Sequence, residues 1–308
     1  MANPLDSAAL VRLLVADLRE VTGPEAFKAL PSMIDRIYRI LDSNSAWEEF
    51  YAVGNVPDIP KFNGKITYLS VYPGYHTKIE PGEFGGGLQW ERKFLDDNKY
   101  QVLLDDAAGL LRSAHRVREK YGVKTFTNAF SSAFDFMESE EAVSLCSSAH
   151  TTKSGTSTTY GFNNSGTTAF SKTAVAATRV LMRKFRDDIS ERIEISDNLG
   201  LIVPDALADE AFVLNRTPKG LDTVAEDVNM QAGRYEVIPY LRMDDSDANN
   251  WFMVDLDAMK RDLLWIDRVA PEPSTNIDFQ TKIVQQSMYF RIGYGFKNWR
   301  WAYGHNVS

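Results

Sequence analysis

Residues 97–121, "DNKYQVLLDDAAGLLRSAHRVREKY", place Leu103, Ala107, Leu110, Ala114, Val117 and Tyr121 three and four residues apart. That spacing puts them on one stripe of a helix, and Asp105, Asp106, Arg112, Arg116, Glu119 and Lys120 fall off it. At 1.5 Å per residue the helix reaches roughly 35–40 Å, the width of a whole domain. A strut of that length dictates the rest: other segments must cover one long apolar stripe.

The flanking sequence offers candidates. Residues 5–20 read as an amphipathic helix, capped by Asp6 or Ser7, with Leu10, Leu13, Leu14 and Leu18 on one side. Gly23–Pro24 ends it, and a second stripe follows at Phe27, Leu30, Ile34, Ile37 and Leu41. "WEEFYAVGNVPDIPKFNG" is extended. Residues 64–95 alternate as a long hairpin with arms "GKITYLSVY" and "LQWERKF". Gly85–Gly87 allow it to bend. A ribbon of two strands is marginal alone in water, so Tyr68, Trp90 and Phe94 are expected to meet a neighbouring subunit.

Further on, residues 147–170 are a Ser/Thr/Gly/Asn loop. Ser171 caps a helix with Val175, Leu181, Met182 and Phe185 inward. "LGLIVP" is a short buried strand and "DALADEAFVLN" a helix. "RYEVIPYLRM" and "NWFMVDL" are strands joined by the acidic turn "DDSDANN", and "MKRDLLWIDRVAPEP" runs into a Pro-rich break. The ending "FRIGYGFKNWRWAYGHN" is aromatic where chain ends are usually polar. Phe290, Ile292, Tyr294 and Phe296 share one parity, and Trp299, Trp301 and Tyr303 the other. A strand with a period of two does not switch faces without a break, which is expected at Lys297–Asn298.

Catalytic patterns are missing from the sequence. His76, His115, His150 and His305 stand in no HExxH and beside no cysteine at ligand spacing. Cys146 and His150 share a polar loop without a nucleophile's surroundings. There is no GxSxG, Walker A or GxGxxG; "GYG" at 293–295 lacks the third glycine. "DDSDANN" lacks the glycine and closing Glu of a calcium loop. No catalytic residue, cofactor or metal is therefore expected. The lone cysteine excludes an internal disulfide. A net charge of −8 with no basic run disfavours tight binding to nucleic acid. No apolar stretch is long enough for a membrane helix.

The ordered set of an extended arm, a hairpin, a strut helix and an aromatic end resembles the major capsid proteins of tailed phages with the Hong Kong 97-type α+β fold. The Mu-like major head subunit family is the nearest resemblance. "WEEFYAVGNVPDIPKFNG", "ERKFLDDNKY", "FTNAFSSAF", "LCSSAHTTKSGT", "GLIVPDALADEAFVLNRT", "DFQTKI" and "WRWAYG" carry it, with Thr127, Cys146 and Thr151 departing from the family pattern. The resemblance implies an N-terminal arm at 1–60 and an extended loop at 61–95. It implies a peripheral domain at 96–167 and 266–308, and an axial domain at 168–265. The final segment then packs with the spine helix. It also implies a non-enzymatic subunit that assembles as hexamers and pentamers into an icosahedral shell around double-stranded DNA. The expected partners are a portal and a separate scaffolding protein, with a decoration protein left open; the expected location is the virion, after assembly in the host cytoplasm. An acidic inner wall would keep DNA from sticking. An encapsulin-type compartment, a tail or baseplate protein and an enzyme of another type are the alternatives.

Some members of the wider fold join a loop lysine to an asparagine. Lys65, Lys78 and Asn298 have no activating carboxylate placed between them in the sequence. Mature particles boiled in detergent are expected to give one monomer band; a ladder of multimers contradicts this.

Overall fold

A computed structural model describes residues 17–18, 20–91, 93, 100–218, 228–278, 280–281 and 283–307. Leu10, Leu13, Leu14 and Phe94 lie outside the described residues; Leu18 is buried. Short helices α1 (Pro24–Lys28) and α2 (Met33–Ile37) lead into strands β1 (Arg39–Asp42), β2 (Glu48–Val53), β3 (Pro73–Ile79) and β4 (Gly82–Trp90). The strut is α3 (Tyr100–Thr127), followed by β5 (Met137–Ser139), β6 (Ser165–Gly166) and α4 (Lys172–Met182). Then come β7 (Leu199–Val203), α5 (Ala208–Arg216), β8 (Tyr235–Pro239), β9 (Trp251–Asp255) and α6 (Leu256–Asp262). The chain closes with β10 (Leu263–Ile277), β11 (Val284–Phe296) and β12 (Ala302–His305).

The strut lies against a sheet of order β1–β10–β11–β4. The helix runs past Tyr121 to Thr127 because Val123 and Phe126 extend its buried face. Along that face Phe84 of β4 stacks on Phe290 of β11 at 5.2 Å and meets Tyr121 of α3 at 5.1 Å. Arg118 and Glu119 are buried too, although the stripe alone puts Glu119 in solvent. Arg118 forks onto both carboxylate oxygens of Asp267 in β10, and Trp265 Nε1 donates to the same carboxylate at 2.9 Å. The guanidinium also lies 5.3 Å and 5.2 Å from the Phe27 and Trp265 rings. Such a pair tolerates burial because hydrogen bonds satisfy its remaining lone pairs. Glu119 accepts from Ser32 Oγ at 2.6 Å, which ties the start of α2 to the strut.

A second sheet, of order β6–β12–β9–β7–β8, carries the rest of the core. Every residue of β7 and β9 is buried. Ser171 Oγ caps α4 by accepting from Ala174 N at 3.2 Å. Val175, Met182 and Phe185 point inward as their spacing predicts, whereas Leu181 stays exposed. Asp244 of the acidic turn accepts from Asp205 N and Ala206 N, so it caps the turn that opens α5.

Three expectations need correction. Residues 64–95 are not one hairpin. Residues 64–72 form no strand, β3 pairs with β2 and β5, and β4 pairs with β11. Alternation marks a strand without naming its partner. The Pro-rich segment is not a break: β10 continues through Pro271 and Pro273, with its register to β11 slipping between Asp267 and Glu272. The final segment packs with the strut only in part, through β11 and the Phe126–Trp301 contact. It leaves β11 at Phe296, turns through 297–301, and β12 joins β9 and β6. The parity switch is thus a change of sheet, and Trp299, Trp301 and Tyr303 are buried in the new surroundings. Gly304 permits this, since a Cβ there would sit 2.7 Å from both Cys146 Sγ and the Phe252 ring.

The last strand is locked by His305. Thr168 N–H donates to its Nδ1 at 3.2 Å, so Nε2 carries the proton and donates to Thr178 Oγ1 at 2.8 Å; that hydroxyl donates to Ala174 O. The ring stacks on Trp251 at 4.2 Å. Burial lowers its pKa from 6.5 to about 4. A lowered histidine value means that the folded state favours the neutral ring. Its contribution is complete above pH 6.5 and is lost as the pH falls from 6.5 towards 4. In that window the free subunit is expected to lose thermal stability more steeply than its His305→Gln variant; parallel profiles contradict this.

Candidate assembly surface

The three-stranded sheet β2–β3–β5 projects a loop. Its arms are β2 and β3, paired from Glu48–Ile79 to Val53–Pro73 with a register shift between Tyr51 and Val53. Gly54 N–H donates to Tyr72 O at 3.1 Å and closes the last rung. Only glycine fits there, because a Cβ would lie 2.5 Å from that carbonyl oxygen. Beyond it, residues 55–71 form no helix or strand. Pro57 and Pro60 stiffen the outgoing side, and Gly64 turns it with φ of +87°.

The tip is apolar and uncovered. Ile59 is 89% and Tyr68 93% exposed, and Val56, Phe62, Ile66 and Tyr72 are also exposed. Isolated exposed hydrophobics need no explanation, but a run of this kind on one projecting segment marks a contact surface. Burying each large side chain is worth about 1.5–3 kcal/mol, so Ile59, Phe62, Ile66 and Tyr68 offer roughly 6–12 kcal/mol per tip. Fixing backbone costs about 1–2 kcal/mol for each residue ordered, so ordering about six residues already offsets that gain. A single tip contact is therefore weak, and strength comes from many copies at once.

Of the three residues expected at the contact, Tyr68 sits at the exposed tip. Trp90 does not: it is 7% exposed, packed with Leu18, Leu103, Ala107 and Val284, and donates Nε1 to Asp106 Oδ2 at 2.9 Å. Ile59 and Phe62 were missed because "VGNVPDIPKF" shows no strand alternation. Two prolines beside apolar residues were the available signal.

A polar cleft of about 470 Å³ lies at the loop's base, between Tyr51, Asn55 and Tyr75 and the turn at Lys297–Arg300. In it Asn55 Nδ2 donates to Asp187 Oδ2 at 2.6 Å, and Arg300 donates to Asp188 Oδ1 at 2.9 Å. Among the described residues no group of three His, Cys, Asp or Glu side chains is placed to hold a metal ion. Burial pushes the Cys146 thiol up, and both ring nitrogens of His150 are engaged, by Glu141 and Asn164, each at 3.1 Å. No described helix is long and apolar enough to cross a membrane.

Comparison with known proteins agrees with a surface built for contact. The sequence model of a family described as phage capsid protein matches residues 75–304. The chain belongs to the phage capsid protein family. Its fold is the Hong Kong 97-type capsid fold, and as a phage capsid protein it is a structural subunit of a phage shell. The capsid of a native GTA particle aligns with a TM-score of 0.55 at 12% identity, over 91% of this chain and 92% of that one. The mature capsid of bacteriophage PhiM1 gives 0.56 at 10% identity, over 91% and 88%. The capsid of cyanophage P-SCSP1u gives 0.54 at 10% identity, over 90% and 88%. No curated protein is detectably similar in sequence.

The triple variant Ile59→Ser, Phe62→Ser, Tyr68→Ser is expected to leave the stability of this capsid subunit within about 0.5 kcal/mol of wild type, as exposed sites do. It is expected to abolish shells in electron micrographs. Normal shells from the variant contradict the assignment of the tip.

Proposed function

We propose that the chain is the major head subunit of a tailed double-stranded DNA phage, with copies joining as hexamers and pentamers in an icosahedral shell. The observation that carries this reading is the apolar tip at 55–71, projecting from a subunit whose own core is complete without it. The tip would lie across a neighbouring subunit and become ordered there. Repetition of one heterologous contact around a closed ring is how a weak interface builds a stable assembly.

The pairing of β2 with β3 supports an extended loop at about 48–79, earlier than 61–95. The strut and the β1–β10–β11–β4 sheet would form the peripheral domain, and the β6–β12–β9–β7–β8 sheet with α4 and α5 the axial domain. The ordered motifs of the sequence support the Mu-like head subunits as the nearest group. A portal, a separate scaffolding protein and a decoration protein are the proposed partners, and the virion is the proposed location, after assembly in the host cytoplasm. The role is structural and not enzymatic. The net charge of −8 fits an enclosure that holds DNA without sequence-specific contacts.

The chain expressed with a scaffolding protein is expected to sediment as large particles and to appear as closed shells in electron micrographs. A monomer that persists at high concentration contradicts this. Tubes or rings point to a tail protein, and shells filled with a cargo protein to an encapsulin-type compartment; either replaces the reading.

A further inference from the structure

One carboxylate joins the base of the projecting loop to the body. His76, in the middle of β3, donates its backbone N–H to Glu140 Oε2 at 3.1 Å, and its Nδ1 lies 2.8 Å from the same oxygen. A carboxylate only accepts, so Nδ1 carries a proton. Glu140 Oε1 accepts from Lys153 Nζ at 2.5 Å, and Glu140 N–H returns to His76 O at 3.0 Å. Glu141 turns to the other side and accepts from Thr151 N at 2.8 Å. Tyr75 Oη and Thr151 Oγ1, 2.8 Å apart, add a parallel tie. The last rung between β3 and β5 is Thr77–Ser139, so Glu140 is the first attachment beyond the sheet on the way to the tip.

Two further observations point the same way. Ala142, just after this pair of glutamates, has φ of +55°. That region costs a residue with a Cβ roughly 1–2 kcal/mol, and it persists where neighbouring bonds over-determine the turn. On the other side, the His76 ring stacks on Tyr51 of β2 at 5.7 Å, so the ring that Glu140 orients also touches the second arm. The Lys153 ammonium and then the His76 N–H hold the Glu140 carboxyl at about 2, well below the usual carboxylate range. Yet the residue faces solvent, where ion pairs add little to stability. Many directed bonds with little stabilisation fit a positioning role.

We propose that Glu140 is the positioning residue for assembly: it sets the direction in which residues 54–72 leave the body, and so the point on a neighbouring subunit that the tip reaches. This rests on the reading of the tip as a contact between copies.

The test is hydrogen exchange on the free subunit, read at residues 48–53, a strand in which Glu140 makes no hydrogen bond. Glu140→Ala is expected to raise exchange there about tenfold with little change in the melting temperature, and to give fewer shells of mixed size. Lys153→Ala, which removes one bond, is expected to give a smaller rise. The swap Glu140→Lys with Lys153→Glu restores the ion pair without the His76 bonds and is expected to recover only part of the protection. Unchanged exchange at 48–53 in Glu140→Ala overturns the proposal, whatever the shells do. Wild-type chain that makes no shells overturns the assembly reading instead.

Discussion

The strut helix packed across the β10–β11 ribbon is the contact on which the rest depends. Two long antiparallel strands cannot stand in water alone. Neither can a 28-residue helix with one apolar side. Together they bury each other's faces, and the Arg118–Asp267 pair fixes where along the ribbon the helix sits. Removing one partner of such a buried pair leaves an uncompensated charge, typically a loss of about 3–5 kcal/mol. Everything else is hung on this layer. β4 extends the ribbon, α2 is tied to the strut through Glu119, and the root of β3 reaches the ribbon through Ile79. There the glycines of "GYG" matter: a Cβ at Gly295 would lie 2.8 Å from Ile79 Cδ1. A glycine pair that completes no nucleotide-binding motif is instead the seat for the base of the projecting loop.

The chain's last residues join this layer to the second sheet. After β11 the backbone turns at 297–301 and β12 pairs with β9. Trp301 keeps a contact with the strut through Phe126, with ring centroids 6.3 Å apart. His150 stacks on Trp299 and His305 on Trp251, so the polar loop at 147–170 is also held to this segment. Asn164, fully buried, donates to Leu145 O and Ala302 O and accepts from Ser147 N. A force on either sheet thus reaches the other through a short, densely bonded segment rather than through a flexible linker.

Periodicity made the strut, α4, β7 and α5 legible, because each buries one stripe or one whole strand. It did not give partners. The two arms read as one hairpin do not pair: 64–72 form no strand, and 88–90 lie in β4, whose alternation is satisfied by β11 and not by β3. It also hid buried charge: Arg118 and Glu119 are covered because Asp267, Ser32 and Phe27 come from distant parts of the chain. The exposed tip proposed for assembly was legible only in part. Tyr68 stands out as an aromatic in an extended stretch, whereas Trp90 has the same signature and is core. Local sequence does not distinguish a side chain awaiting a neighbour from one already packed.

The central claim is that the loop is completed by another copy of the chain. Hydrogen exchange before and after assembly addresses it most directly. In the free subunit residues 55–71 are expected to exchange fast and 103–117 slowly. In the shell 55–71 are expected to become protected while 103–117 stay as they were. Protection of 55–71 already in the monomer, or none in the shell, would contradict the account.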